Sequence, residues 1–364
     1  MKKINYIIFP YRSYFFKKKY GVAVRDLQII EIIKSIPSTE NVLIVDRPLS
    51  MYEAILGRGH SEAGYLKHIS WDLIGPLKRR SWTATCYSEL YGKIDSLVRD
   101  WKNVVILDFT PMAKISLSEI RHDFYWYDLI DNFTKHNRFT EEQKNLVKEK
   151  YEFVANQARL ITGVTDEALS LFKINKLTLP NGVCPHEPTN AKTESSYKYG
   201  FMGFITDKLD LSFISTLSES DPEFSLVVYG DIFDSVVKKK LLAISGVTLG
   251  GRFSRNNVPT LMNSFKVGLI PYLESKSHDG SPLKLYEYML FGKPVVTSID
   301  YEVTGEFIIN YNSKGINSSV LELNRLLSIP YYEDKVRSLI RAEDHMDFKV
   351  SNVITRIIKT INHD

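Results

Sequence analysis

Lys284 and Glu287 stand one helical turn apart, behind a polar loop that holds His278, Asp279 and Ser281. The stretch Ser277 to Ser298 reads SHDGSPLKLYEYMLFGKPVVTS. Pro282 can open a helix whose packing face is Leu283, Leu285, Tyr286, Met289 and Leu290. Gly292 stops that helix, and Pro294 starts a buried strand, PVVT. The first N–H groups of such a helix bind phosphate, and Lys284 adds a mobile positive charge. Glu287 is placed to accept hydrogen bonds from ribose hydroxyls. The same residues equally describe a capped amphipathic helix with a surface Lys284–Glu287 pair.

A second group of candidates lies in FYWYDLIDNF, where Asp128 and Asp131 follow an aromatic strand. A carboxylate there can take a proton from a hydroxyl or stabilise positive charge developing at a sugar carbon. The alternative is that Asp131 caps a turn and Asp128 pairs with a basic residue. Gly203 permits close backbone approach, with Lys208 and Asp210 just after it. Arg252 offers an always-charged fork suited to a diphosphate, or is simply a solvated loop residue.

Alternating apolar runs and helical patterns must position these residues. KINYIIF (Lys3 to Phe9), VRDLQIIEIIKSI (Val24 to Ile36) and NVLIVD (Asn41 to Asp46) form a βαβ unit. From Arg47 to Asp100 the pattern weakens until the helix SELYGKIDSLVRDW; the strands NVVILDF, FYWYDLID, RLITGV and KLTLPNGV then alternate with the helices EEQKNLVKEKYEFVANQA and TDEALSLF, the latter capped by Thr165. Residues 186–197 are rich in Pro, Ser, Thr and Asn and read as a linker between a first domain, 1–185, and a second, 198–345. The alternation restarts with KYGFMGF and runs through FSLVVYG, VTLGG, KVGLIPY and PVVT. Strands separated by helices imply two parallel α/β sheets, and such sheets bind ligands at the C-terminal edges of their strands. In the second domain those edges carry Gly203 to Asp210, Tyr229 to Asp231, Gly250 to Arg255 and Pro271 to Ser281.

The 364 residues exceed one ordinary core, and 44% hydrophobic with 25% charged residues is the composition of a soluble globular chain. Cys86 and Cys184 lie far apart without Cys-x-x-Cys or clustered His, which fits buried small side chains in a reducing compartment. INYIIF is too short for a signal-peptide core, and no run reaches the ~18 apolar residues of a membrane helix. A cytoplasmic protein is expected. Residues 1–185 carry 27 Lys+Arg against 21 Asp+Glu, concentrated in FFKKKY (Phe15 to Tyr20) and PLKRRSW (Pro76 to Trp82). Basic residues beside aromatics match an anionic bilayer surface, and no nucleic-acid motif accompanies them.

SPLKLYEYMLFGKPVVTS, preceded by GRFSRNNVPTLMNSFKVGLIPY, resembles the donor-binding half of GT-B glycosyltransferases, in particular a group 1 bacterial surface-polysaccharide type that includes a teichuronic acid enzyme. YDLIDNF, RLITGVTDEAL, LPNGV and FMGFITDKLDLSFI match the same subgroup in order, so the resemblance covers roughly residues 100 to 300. It implies two Rossmann-like domains facing across a cleft, with the segment 346–364 crossing back as a helix onto the first. It implies a UDP- or GDP-linked nucleotide sugar bound by Gly203, Lys208, Tyr229, Arg252, Pro271, Asp279, Ser281, Pro282, Leu283, Lys284 and Glu287; the catalytic carboxylate, Asp131 or Asp128, is read from the residues themselves, since many relatives have a His near that position. Asp279 and Glu287 have the spacing of the acidic pair in retaining relatives, with Asp in place of the usual Glu. No obligatory metal is implied, and the chain has no Asp-x-Asp to hold one. The acceptor implied is a lipid-linked glycan met at the cytoplasmic face of the inner membrane through the basic first domain. Other readings are a nucleotide-sugar epimerase and an inactive donor-binding scaffold. A dehydrogenase is disfavoured because Pro10 to Arg12 stand where Gly-x-Gly-x-x-Gly should follow the first strand.

Overall fold

A computed structural model of the chain describes residues 2–56, 63–136, 138–184, 195–277 and 280–363. It divides into two compact units, Met1–Pro180 with Asp347–Asp364, and Asn181–Met346.

The first unit is built on a seven-stranded sheet in the order Tyr65–Leu66, Thr39–Val45, Ile4–Phe9, Val104–Asp108, Phe124–Leu129, Leu160–Gly163, Lys176–Thr178. Every pairing is parallel, with Ile7 opposite Ile106, Leu107 opposite Trp126 and Asp128 opposite Thr162. The three central strands are buried along their whole length, which is why they read as unbroken apolar runs rather than alternating ones. The helix Glu141–Gln157 starts on a capping box between Thr140 and Gln143 and buries Val147, Lys150, Tyr151 and Val154, one stripe at helical spacing. Thr165 caps the helix Asp166–Leu169 by accepting from the Ala168 N–H, as the sequence predicts.

The second unit carries a six-stranded parallel sheet in the order Val247–Gly251, Leu226–Tyr229, Tyr197–Met202, Phe265–Ile270, Val295–Thr297, Ile308–Asn310. Its core packs Phe201, Val228, Leu269, Leu285, Tyr288 and Ile309 among others. Two doubly wound α/β sheets are therefore present.

The structure departs from the sequence reading in three places. Asn181 to Val183, read as the end of the first domain, belong to the second unit, where Val183 N donates to Asp344 O at 2.8 Å and Met346 N to Val183 O at 2.9 Å. Tyr197, read as linker, already stands in a strand, while 186–194 lie outside the described residues. The weakly patterned stretch after Arg47 contains the parallel pair Leu49–Ser50 with Ile69–Ser70, a helix Met51–Ile55 and a 3₁₀ segment Gly75–Ala84. Cys86 is buried and Cys184 is half-buried. Among the described residues no helix is long and apolar enough to cross a membrane.

Candidate functional site

The edge of the second sheet opens where side chains are missing. Gly203 and Gly230 end neighbouring strands, both with φ of +143°, a backbone region that costs an L side chain strain. A Cβ on Gly230 would stand 1.8 Å from the Gly203 carbonyl oxygen, and one on Gly203 would stand 2.9 Å from Lys284 Nζ. Gly203 N donates to Tyr229 O at 3.0 Å and Gly230 N to Gly251 O at 2.8 Å, so three strand ends are tied into one floor.

Lys284 overhangs that floor from the first turn of the helix Leu283–Leu290. Its ammonium lies 4.0 Å from the Phe201 ring centroid and 4.7 Å from that of Tyr272, and it donates to the Tyr272 hydroxyl. Two aromatic faces hold the cation over the floor. Pro282 precedes the helix as its N-cap and contributes no N–H, while Leu283 is half-buried behind it. Gly292 N donates to Met289 O at 2.9 Å where the helix stops, as expected.

Glu287, one turn on, is engaged by a residue the sequence reading did not single out. Arg255 Nη1 donates to Glu287 Oε1 at 2.8 Å, and the two side chains are 13% and 19% exposed. The other terminal nitrogen of Arg255, Nη2, is buried and has no hydrogen-bond partner among the described residues. A buried, unmatched guanidinium N–H is an unfilled demand for an acceptor. The available signal was Arg-Phe-Ser-Arg at Arg252 to Arg255, which supplies two forks at one strand edge. Arg252 itself is half-exposed and donates through Nε to Asp231 Oδ1 at 2.7 Å.

Several predicted contacts lie elsewhere. The Tyr229 side chain is buried in the core, bonded to Ser264 Oγ at 3.1 Å and stacked against Gly250, so only its carbonyl reaches the floor. Ser281 is buried and its hydroxyl is committed, accepting from Asn181 N at 3.0 Å and donating to Glu302. It fastens the start of the helix, helped by Tyr286, whose hydroxyl donates to Glu302 at 2.6 Å. Pro271 is buried and accepts from Asp210 N at 2.8 Å, and the Lys208 carbonyl accepts from Leu273 N at 2.8 Å. Those two bonds lace the loops after Met202 and Ile270 together. Asp279 and His278 lie outside the described residues.

In the first unit Asp128 is fully buried and locked. Arg25 donates to it twice at 2.8 Å, Nε to Oδ1 and Nη2 to Oδ2, and Thr162 Oγ1 donates at 2.6 Å. A carboxylate so enclosed is a structural ion pair, not a base within reach of a substrate. Asp131, two residues past the strand end, is half-buried, with its carbonyl accepting from Phe133 N at 3.0 Å and Tyr151 OH at 3.3 Å. At the end of Thr39–Val45, Asp46 lines a cavity of about 140 Å³ with Ser13, Tyr14, Arg47, Glu53 and Lys67. Burial pushes the Asp46 carboxyl up to about 6, against the opposing pull of N–H groups from Tyr14 and Arg47. The sequence reading missed it because a lone Asp after a strand carries no pattern.

Residues 209–321 match the family described as glycosyl transferases group 1. The second unit contains a group 1 glycosyltransferase segment. Over 100 residues the chain is 33% identical to a putative teichuronic acid biosynthesis glycosyltransferase, TuaH of Bacillus subtilis. That alignment covers 27% of this chain and 25% of TuaH. Among solved structures, HepE of Anabaena, determined in complex with UDP and glucose, superposes with a TM-score of 0.63 over 100% of both chains at 14% identity. Sucrose-phosphate synthase of Thermosynechococcus elongatus gives 0.66 over 99% of this chain and 100% of its own, at 11% identity. The two-sheet architecture of this chain is thus shared with HepE and sucrose-phosphate synthase over their whole length.

Proposed function

We propose that the chain transfers a sugar from a nucleotide-sugar donor, UDP- or GDP-linked, to a lipid-linked glycan acceptor in surface-polysaccharide synthesis at the cytoplasmic face of a membrane. The observation that carries the reading is the glycine floor at Gly203 and Gly230 with the Lys284 ammonium above it, Gly230 and Lys284 lying inside the segment that matches the family. HepE binding UDP and glucose supports the donor class, and the name of TuaH supports the glycan.

In this reading the donor diphosphate lies on the floor. Lys284 and the unmatched Nη2 of Arg255 face its oxygens, and Glu287, held by Arg255, accepts from a donor hydroxyl. The bond from the sugar carbon to the phosphate oxygen breaks, and negative charge grows on the departing diphosphate, where fixed cations lower the barrier most. The acceptor oxygen forms the new bond, and Asp131 receives its proton. Asp128 acts by fixing the strand end that leads to Asp131. Asp46 is the second carboxylate offered by the first unit, favoured by its cavity and by a pKa near that of a working base.

The deciding experiment is release of nucleoside diphosphate from a panel of UDP and GDP sugars, with and without an extracted lipid-linked acceptor. Acceptor-dependent release identifies the transferase. Conversion of one nucleotide sugar into another without acceptor replaces it with an epimerase, and binding without turnover replaces it with a scaffold.

A further inference from the structure

The first unit presents an apolar surface that its fold holds outward. Leu49–Ser50 and Ile69–Ser70 pair in parallel, Leu49 opposite Ile69 and Ser50 opposite Ser70, so the chains that follow them leave from the same end. After Ser50 comes the helix Met51–Ile55, closed by a capping box between Ser50 and Glu53. After Ser70 comes a loop fastened by two acids. Asp72 accepts from the N–H groups of Ile74 at 3.1 Å and Gly75 at 2.7 Å, and from the indole of the buried Trp82 at 3.1 Å. Glu89 accepts from Ser70 Oγ at 2.8 Å and Trp71 N at 3.3 Å.

The side chains these bonds present to solvent are apolar. Ile55 is 80% exposed, Trp71 76%, Ile74 71% and Leu77 72%, with Leu56 and Leu73 also exposed. Single exposed leucines are ordinary, but six large apolar side chains exposed on two segments that leave the same end of one strand pair are the kind of surface that meets a partner. Lys78, Arg79 and Arg80 follow Leu77 directly and are exposed. Arg80 is partly occupied, donating to Arg138 O at 3.0 Å, which leaves Lys78 and Arg79 as the basic rim. Trp71 beside aliphatic residues and a cationic edge is the composition of a bilayer interface, where indole sits at headgroup depth and basic groups meet anionic lipid.

The other basic run is less suited. In the helix Tyr14–Tyr20, Lys17 pairs with Glu31 at 3.1 Å and packs over the Tyr65 ring, so part of its charge is answered within the protein. We propose that the loop Trp71 to Arg79, with the helix Met51–Ile55 beside it, docks on an anionic lipid bilayer, its apolar side chains entering the headgroup layer. The inference deepens the lipid-linked-acceptor reading and rests on it for its purpose, but it is measured without any substrate.

The test is flotation of the full chain with phosphatidylcholine vesicles, with and without phosphatidylglycerol. The parent chain is expected to float with the anionic vesicles. Trp71→Ser/Ile74→Ser/Leu77→Ser should weaken that partition at least tenfold, and Lys78→Ala/Arg79→Ala about fivefold per charge removed. Both variants alter exposed side chains, so an unchanged melting temperature is expected and checks the fold. Calorimetric binding of UDP and GDP without vesicles should also match the parent, and its absence in the parent would fail the transferase reading while leaving docking intact. Docking is overturned if the parent does not float, if the apolar variant floats equally well, or if Lys17→Ala/Lys18→Ala/Lys19→Ala abolishes flotation more completely than the loop variants. It is also overturned if sedimentation velocity shows a dimer that the apolar variant loses, which would assign the patch to a second copy of the chain.

Discussion

Removing the charge of Lys284 while keeping its bulk separates the two things this residue does. In Lys284→Met an unbranched side chain still fills the space beside Phe201 and Tyr272, but the ammonium, 4.0 and 4.7 Å from the two ring centroids, is gone. Loss of the cation–aromatic contacts should cost stability of about 0.5–2 kcal/mol. Loss of a charge-assisted hydrogen bond to phosphate should cost binding of about 1.5–3 kcal/mol, which corresponds to roughly a 10- to 100-fold weaker Kd. Calorimetric titration with UDP, GDP and the corresponding nucleosides is the assay. The diphosphates should lose affinity and the nucleosides should not, since only the former carry the charge that Lys284 meets. The loss should shrink as salt is raised, because the missing term is Coulombic. Unchanged diphosphate affinity in a folded Lys284→Met protein would refute the reasoning and leave the lysine a purely structural plug over Gly203.

Glu287→Ala should destabilise the second unit by about 1.5–3 kcal/mol, the scale of a lost hydrogen bond to a charged group, because it strips the carboxylate from an Arg255 already carrying an unmatched Nη2. Adding Arg255→Met should recover part of that loss, read as a coupling in a double-mutant cycle by urea denaturation. Asp131→Asn should reduce turnover at least tenfold, about 1.4 kcal/mol of barrier, with donor affinity unchanged by calorimetry. Asp128→Asn should instead destabilise the first unit by about 3–5 kcal/mol, since Arg25 would be left charged in the interior. Burial also raises the carboxyls of Asp26 and Asp46 from 3.8 to about 6. The folded state holds their protons more tightly than the unfolded chain, so this stability is full below about pH 4 and is lost as pH rises through about 6, roughly 3 kcal/mol per group. Asp26→Asn should flatten the difference between urea midpoints at pH 4 and pH 7, and an identical pH dependence would reject the burial argument.

The sheets were legible because their central strands are buried on both faces, which writes each one as an apolar run such as INYIIF or VVILD. The region between Arg47 and Asp100 was not, because its order comes from acids that accept several N–H groups each, Asp72 and Glu89, and not from periodic apolar residues. Site residues were legible where chemistry and local spacing coincide, as at Lys284. They were misread where the partner is remote. Ser281 looks like an open hydroxyl until Asn181, 100 positions away, closes on it. Asp128 looks like a base until Arg25, 103 positions away, claims both its oxygens. Glu287 looks like a ribose acceptor alone until Arg255, 32 positions away, is found beside it.

The two sheets finish their strand ends in opposite ways. In the first unit the ends of Val104–Asp108 and Phe124–Leu129 are filled by charge. Asp108 takes Thr110 N at 2.7 Å, Thr110 Oγ1 at 2.7 Å, Tyr125 OH at 2.9 Å and the buried Lys150 ammonium at 2.5 Å. Asp128 takes Arg25 and Thr162, and Thr162 in turn accepts from the Trp126 indole at 2.7 Å. Buried pairs of this kind add little net stability over an apolar core, because desolvation offsets their attraction. What they supply is direction, since each donor fixes where the next loop begins. In the second unit the corresponding ends carry Gly203 and Gly230, with no side chain at all and a cation suspended above. A diphosphate needs backbone approach and positive charge together, and only the glycine-ended edge combines them. The charge-filled edge instead has the rigidity to aim short loops, which suits the role proposed for Asp131.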